Sequence, residues 1–269
     1  MVVRIADPGD PRIADYRNVP DPQLLRRRGL FVAENRLVVR TLLASGRFRT
    51  RSVLLTDAAY EALRGQLGGV DEALPVFVCA KAMMEAISGY NIHRGCLALG
   101  ERPANLTVTA LLAETPGARR LVALEAVGNA DNVGAVFRNA RAFGADGVIA
   151  GPACCDPLYR KAIRVSIGAS LVVPYATSED GWRSDLLALK AAGFTLVALT
   201  PAPDARGFDE FLAGGTPRKI VLLVGHEGDG LSPLAQGLAD ARVRIAMAPG
   251  VDSLNVATAT GIALHRIYR

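Results

Sequence analysis

The sequence predicts a two-domain α/β protein, a small N-terminal α/β layer followed by a larger domain on a parallel sheet, and three observations predict it. Apolar runs of strand length alternate with segments of helical period along nearly the whole chain. The 269 residues are long for one domain and natural for two. A seam at residues 102–105, ERPAN around it, carries a proline and no periodicity, and the boundary is drawn there, giving domains 1–104 and 105–269.

In order, residues 11–28 read as a leading helix or extended arm punctuated by Pro20 and Pro22. Strands are expected at 30–34, 52–56, 75–79 and 95–100, with helices at 35–45, 57–67 and 81–88 between them. The loop GYNIHRG, 89–95, mixes a ring, an amide and cations, which suits unpaired RNA bases and equally suits a polar hairpin. In the second domain a helix at 108–114 precedes LVALEAV, 121–127, whose continuous apolar run reads as a buried strand. The loop GNADN leads into a helix from Val133 to Phe143, with Arg138 on the side opposite its apolar face. Further strands are expected at 147–151, 170–175, 194–200, 219–225 and 243–247, and helices at 157–168 and 180–193. A final helix opens with Ser253, Leu254 and Asn255 after the break at Pro249-Gly250.

Strand and helix repeated this often imply a parallel sheet with helices on both faces, whose ligands bind at the carboxyl ends of strands. The loops there begin at Thr200, at Gly225 and at Met247. The last enters a helix mouth, where unpaired N–H groups and the dipole suit a carboxylate, a phosphate or a polar ligand edge. Ser253 or Asp252 also reads as a plain N-cap. GNADNVG does not fit the dinucleotide fingerprint, and no phosphate-binding P-loop is present.

Composition narrows the classes. Half of the residues are hydrophobic, and no run approaches the ~18 apolar residues of a membrane span. The N-terminal stretch has prolines and acids where a secretory signal needs an apolar core, so a cytoplasmic location is expected. Cys79, Cys96, Cys154 and Cys155 form no C-x-x-C pair, and His93, His226 and His265 share no ligand spacing, so no metal is expected. Net charge is only +5, but residues 26–51 hold eight arginines against one acid, Glu34. Such a cluster is either a solvated face or the footprint of a phosphate-backbone binder. Arg26, Arg27, Arg28, Arg47, Arg49 and Arg51, with Arg94 of the GYNIHRG loop, are the candidate RNA contacts.

Three stretches carry a family resemblance. Asn132, Gly134, Ala135, Arg138, Ala140, Phe143 and Gly144 fall on N-x-G-A-x-x-R-x-A-x-x-F-G, with Asn139 as a variant. Residues 225–232 read G-x-E-G-x-G-L-S without a gap. Residues 245–256 match I-P-M-x-G-x-x-x-S-L-N-V with Ala246 for the proline and one extra residue at Pro249. Together they resemble the TrmH (SpoU) family of RNA ribose 2′-O-methyltransferases, of the SPOUT class.

The resemblance implies an L30e-like RNA-binding first domain and a SPOUT second domain ending in a deep trefoil knot that holds S-adenosylmethionine. Small residues at 257–261 are compatible with a threaded helix. It gives Arg138 the central catalytic role with Asn132, Glu227, Ser253 and Asn255. Donor contacts are placed at Thr200, Gly225, Gly228, Ile245, Met247 and Leu254. Ribosomal RNA is the expected substrate, transfer RNA the runner-up, and a binding module that lost transfer the other class. Family members are homodimers, and Ile262, Leu264 and Ile267 suggest an apolar face on the last helix for such packing.

Overall fold

The computed structural model describes residues 2–17, 21–69, 73–88, 95–178 and 181–268. Two compact units divide it. One comprises Met1–Ala104 and Leu158–Val172, the other Asn105–Pro157 and Val173–Arg269.

In the first unit the elements are β1 (Val2–Arg4), α1 (Asp21–Arg28), β2 (Leu30–Glu34), α2 (Arg36–Ser45), β3 (Thr50–Thr56), α3 (Asp57–Leu67), β4 (Val76–Cys79), α4 (Lys81–Ser88) and β5 (Cys96–Glu101). A 3₁₀ turn at Pro11–Tyr16 replaces part of the expected arm. The strands form one sheet in the order β1-β4-β3-β5-β2, parallel through β3 and antiparallel beyond it. Helix ends follow from local chemistry. The Asn35 side chain accepts from Leu37 N–H to start α2, and Gly46 at φ +64° ends it. Gly100 is required by close approach, since a Cβ there would stand 2.2 Å from the Phe31 ring. The Tyr16 hydroxyl is shut in with Ser52 Oγ at 2.8 Å, and burial pushes its phenol well above the ordinary range.

The second unit runs α5 (Val108–Glu114), β6 (Arg120–Leu124), α6 (Ala130–Ala142) and β7 (Gly147–Ala150). Then comes α7 (Arg160–Val165), which belongs to the first unit. It continues with β8 (Tyr175–Thr177), α8 (Trp182–Ala191), β9 (Thr195–Leu199), β10 (Arg206–Gly207), α9 (Phe208–Ala213), β11 (Ile220–Val224), α10 (Pro233–Leu238), β12 (Ala241–Arg244) and α11 (Val256–Tyr268). All seven strands are parallel, in the order β10-β12-β9-β11-β6-β7-β8. One face buries Leu111, Trp182, Leu186, Leu189 and Ala235 against Leu121, Ala123, Leu196, Val221 and Leu223. Helix α11 packs along α6.

Several expectations need correction. The helix expected at 157–168 is only Arg160–Val165, and it joins the first unit, where Arg160 N–H meets Asp21 at 2.9 Å. Residues 170–175 are not a strand. Gly168 at φ +74° opens a 3₁₀ turn, and pairing begins at Tyr175. Helix α6 starts three residues early because Asn129 caps it, accepting from Asp131 N–H at 2.8 Å. Strand β12 ends at Arg244, since its partners β9 and β10 reach no further than Val243 and Arg244. The last helix begins at Val256, so Ser253 and Leu254 precede it. Leu264 and Ile267 are buried in the chain's own core, and Ile262 is exposed on the opposite side of the helix.

Candidate functional site

The strand order turns back at the β6–β11 boundary, the point at which an open parallel sheet leaves a crevice at its carboxyl edge. A cavity of about 280 Å³ lies on the β11 side of that point, over the carboxyl ends of β9, β11 and β12, near the lower end of the ~300–1,000 Å³ of small-ligand sites. Three loops wall it. After β9 come Thr200 and Pro201, after β11 Gly225, His226, Glu227 and Gly228, and after β12 Ile245, Met247, Ser253 and Leu254. All six positions expected to touch a donor therefore face one space. Ile245 and Met247 line it because the chain leaves the sheet at Arg244 and no neighbouring strand claims them.

The loop after β11 folds back on itself. His226 and Gly230 exchange two backbone hydrogen bonds, 3.1 and 3.0 Å. Gly225 at its base lies so close to the returning chain that a Cβ would stand 2.3 Å from Gly230 C and O. At the rim, Asn132 and Asn255 both donate to Glu227 Oε1, the second at 3.2 Å, and Asn255 Nδ2 reaches Asn132 Oδ1 at 2.9 Å. Asn132 is buried while Glu227 and Asn255 are exposed. The other Glu227 oxygen has no partner among the described residues. A second cavity of about 390 Å³, between residues 126–129 and Ala153, is lined by Asn132 and shares His226 and Glu227 with the first.

Motif residues from three separate segments, one of them the first turn of α6, meet here as a carboxylate held by two amides between two cavities. The model of the SpoU rRNA Methylase family matches residues 119–265. This chain belongs to the SpoU family. A protein of Mycobacterium bovis named as an uncharacterized tRNA/rRNA methyltransferase is 40% identical over 269 residues, 98% of this chain and 91% of that one. A 23S rRNA (guanosine-2′-O-)-methyltransferase of a Burkholderia species is 34% identical over 187 residues, 69% of this chain and 74% of that one. The AdoMet-bound rRNA methyltransferase of Sinorhizobium meliloti superposes with a TM-score of 0.81 at 23% identity, covering 99% and 97% of the two chains.

The remaining candidates of this SpoU chain are placed less uniformly. Asn255 is the cap of α11, its Oδ1 accepting from Ala257 and Thr258 N–H at 3.0 and 3.2 Å. Asp252 and Ser253 are not caps. Replacing Asn255 by alanine is expected to cost ~1 kcal/mol, and Asn255→Ser, which keeps a capping oxygen, to recover most of it. Thermal unfolding checks this, and equal melting temperatures for all three proteins would remove the capping role.

Arg138 is exposed, lines neither cavity and makes no hydrogen bond or ion pair among the described residues. It stands six residues beyond Asn132 on α6, about 9 Å along the axis and about 120° around it, so it does not join the amide–carboxylate cluster. Asn139, the motif variant, donates to Ala257 O at 2.7 Å, and a Cβ on Gly261 would stand 2.9 Å from its amide. The departure fastens α11 to α6.

Sequence reasoning missed Glu125. Buried at the end of β6, it accepts from Ser232 N–H at 2.8 Å and Ser232 Oγ at 2.7 Å, tying down the far end of the 225–232 loop. The signal was a carboxylate inside an otherwise apolar run.

In the first unit Arg26 and Arg27 are exposed on α1, while Arg28 pairs with Asp15. Arg49 and Arg51 stand 3.5 and 3.6 Å from the two oxygens of Glu101, so that part of the run is compensated by an acid distant in sequence. Arg47 lies over the Phe48 ring. Arg94 and the rest of residues 89–94 lie outside the described residues. The cysteines are free thiols, and burial pushes Cys79 and Cys154 up to about 11 and Cys96 to about 12. Among the described residues no helix is long and apolar enough to cross a membrane, and no three His, Cys, Asp or Glu side chains gather as a metal-holding group.

Proposed function

We propose that this SpoU-family methyltransferase moves a methyl group from S-adenosylmethionine to a ribose 2′-hydroxyl in structured RNA. The observation that carries the reading is the Asn132–Glu227–Asn255 cluster at the rim of a cavity built by three strand-end loops. Ribosomal RNA is the preferred substrate, supported by the name of the Burkholderia relative. The M. bovis relative's name keeps transfer RNA as the alternative.

The cavity suits the donor. Apolar side chains at Leu199, Val224, Ile245, Met247 and Leu254 offer walls for a flat ring, and the loop after β11 brings glycine backbone close enough to meet polar edges. Bound there, S-adenosylmethionine supplies an electrophilic methyl group. The chain's share is positioning and charge placement. Asn132 and Asn255 hold Glu227 by one oxygen and leave the other to accept from a hydroxyl. Arg138 engages the target nucleotide and lowers the cost of its alkoxide, since arginine holds its proton too tightly to be a simple base.

The same reading includes a C-terminal knot, an L30e-like RNA-binding role for the first unit, a cytoplasmic location and a homodimer. Arg138 then acts in a site completed by a second copy.

Calorimetry with S-adenosylmethionine and mass-spectrometric mapping of 2′-O-methyl groups in RNA test the proposal together. Stoichiometric heat and one ribose methylated only when the protein is present are expected. No heat at millimolar donor, or methylation of a base, would sink it.

A further inference from the structure

We infer that His226 is a positioning residue that folds the donor loop through a neutral Nδ1, and so ties donor binding to pH. The inference rests on the reading of the larger cavity as the S-adenosylmethionine site. His226 Nδ1 accepts from Gly228 N–H at 3.0 Å and from Asp229 N–H at 3.2 Å. Its own backbone closes the same turn against Gly230 at 3.1 and 3.0 Å. A ring nitrogen that accepts carries a lone pair, so the geometry assigns the proton of the neutral imidazole to Nε2. Asparagine side chains commonly tie down turns by accepting from backbone N–H groups two and three residues on, and here an imidazole does so.

The loop matters because His226 and Glu227 line both cavities. A shift of this turn moves the wall of the donor space and the carboxylate at its rim together. The charged groups facing the imidazole are few. Asp229 Oδ2 stands 3.9 Å from Nδ1, Glu227 is the next residue, and Asp252 lines the same cavity from the segment before α11. From the β6–α6 side, residues 126–129 and Asn132, with Ala153 after β7, bring no charge.

Adding a proton at Nδ1 turns two acceptor contacts into donor–donor contacts. The imidazolium then has a better partner in the Asp229 carboxylate, and the turn loses the side-chain tie that holds Gly228 and Asp229. The folded loop therefore belongs to the neutral ring, and a proton at Nδ1 loosens it.

Calorimetry on the full chain with S-adenosylmethionine, at about pH 8 and about pH 5.5, tests this with the parent, His226→Asn and His226→Ala. The parent is expected to bind about tenfold more weakly at the lower pH, the effect of losing one or two hydrogen bonds. His226→Asn, whose Oδ1 accepts without titrating, keeps the parent's higher-pH affinity at both values. His226→Ala binds about tenfold more weakly at both. Parent-like binding by the alanine variant at the higher pH, or the same pH slope in parent and His226→Asn, overturns the inference. No binding by the parent at either pH overturns the donor-site reading beneath it, a distinct result.

Discussion

Arg138→Ala is expected to abolish methyl transfer while leaving S-adenosylmethionine affinity nearly unchanged. The side chain is exposed and has no partner among the described residues, so its removal breaks no contact that holds the fold. Surface changes of this kind stay within roughly 0.5 kcal/mol in stability. A lost rate then belongs to chemistry or to the positioning of RNA. Removing one group that stabilises a developing oxyanion typically costs ~10²–10³ in kcat, and a target hydroxyl as weakly acidic as a ribose alcohol calls for at least that. Single-turnover assays at saturating RNA separate the step from binding. Replacing Arg47, Arg49 and Arg51 together should do the opposite. RNA affinity and its dependence on salt fall, because fewer counterions are released, while donor binding holds. The Glu101 pairs of Arg49 and Arg51 are exposed enough to exchange for a phosphate. If Arg138→Ala methylates at the parent rate, the role assigned to it is wrong even though the family stands.

Gly225→Ala should fail for a steric reason. The added carbon would sit 2.3 Å from Gly230 C and O and 2.4 Å from Leu231 N, all backbone atoms that no rotamer change can move aside. The 225–230 turn must open, and Gly228, His226 and Glu227 move with it. Overpacking of this kind costs ~1–3 kcal/mol or more, and at ~2–4 °C per kcal/mol for a unit of this size the melting temperature should fall measurably. Donor affinity should fall further, beyond a hundredfold, because the cavity wall itself is displaced. Gly237→Ala is the control. It lies on α10, its Cβ meets nothing within 4 Å, and helix propensity predicts slight stabilisation of ~0.5–1 kcal/mol. Parent-like donor binding by Gly225→Ala would mean that the close approach is not needed.

Much of this site was legible because its chemistry is local. The three strand-end loops could be placed from apolar runs and breakers, and the family motifs named Asn132, Glu227 and Asn255 without saying that they touch. What local pattern could not carry was partnership over distance. The end of β12 at Arg244 depends on how far β9 and β10 extend, and neither length is written in residues 241–247. The start of α11 depends on which of three polar residues turns its oxygen inward, and Ser253 looks as able as Asn255 until Glu227 is there to hold the amide. Glu125 passes unnoticed inside the apolar run 121–127, because its partner Ser232 lies far along the chain. Residues 158–172 follow the second unit's helical rhythm yet pack with the first, because Asp21 and Glu34 wait there for Arg160 and Arg164.

The central strand pair also sets a timetable for making the molecule. One edge of residues 120–124 pairs early with β7, but the other finds its partner in residues 220–224, about 100 positions later, and β11 must enter between β6 and β9. At ~5–20 residues per second the ribosome takes several seconds to deliver that strand. During those seconds β6, apolar on both faces, has an unpaired edge of the kind that recruits strands from other chains. The first unit's five strands, by contrast, are all complete by residue 101. Birth on the ribosome is therefore uneven, and the newborn chain depends on shelter for one edge of a buried strand until β11 emerges.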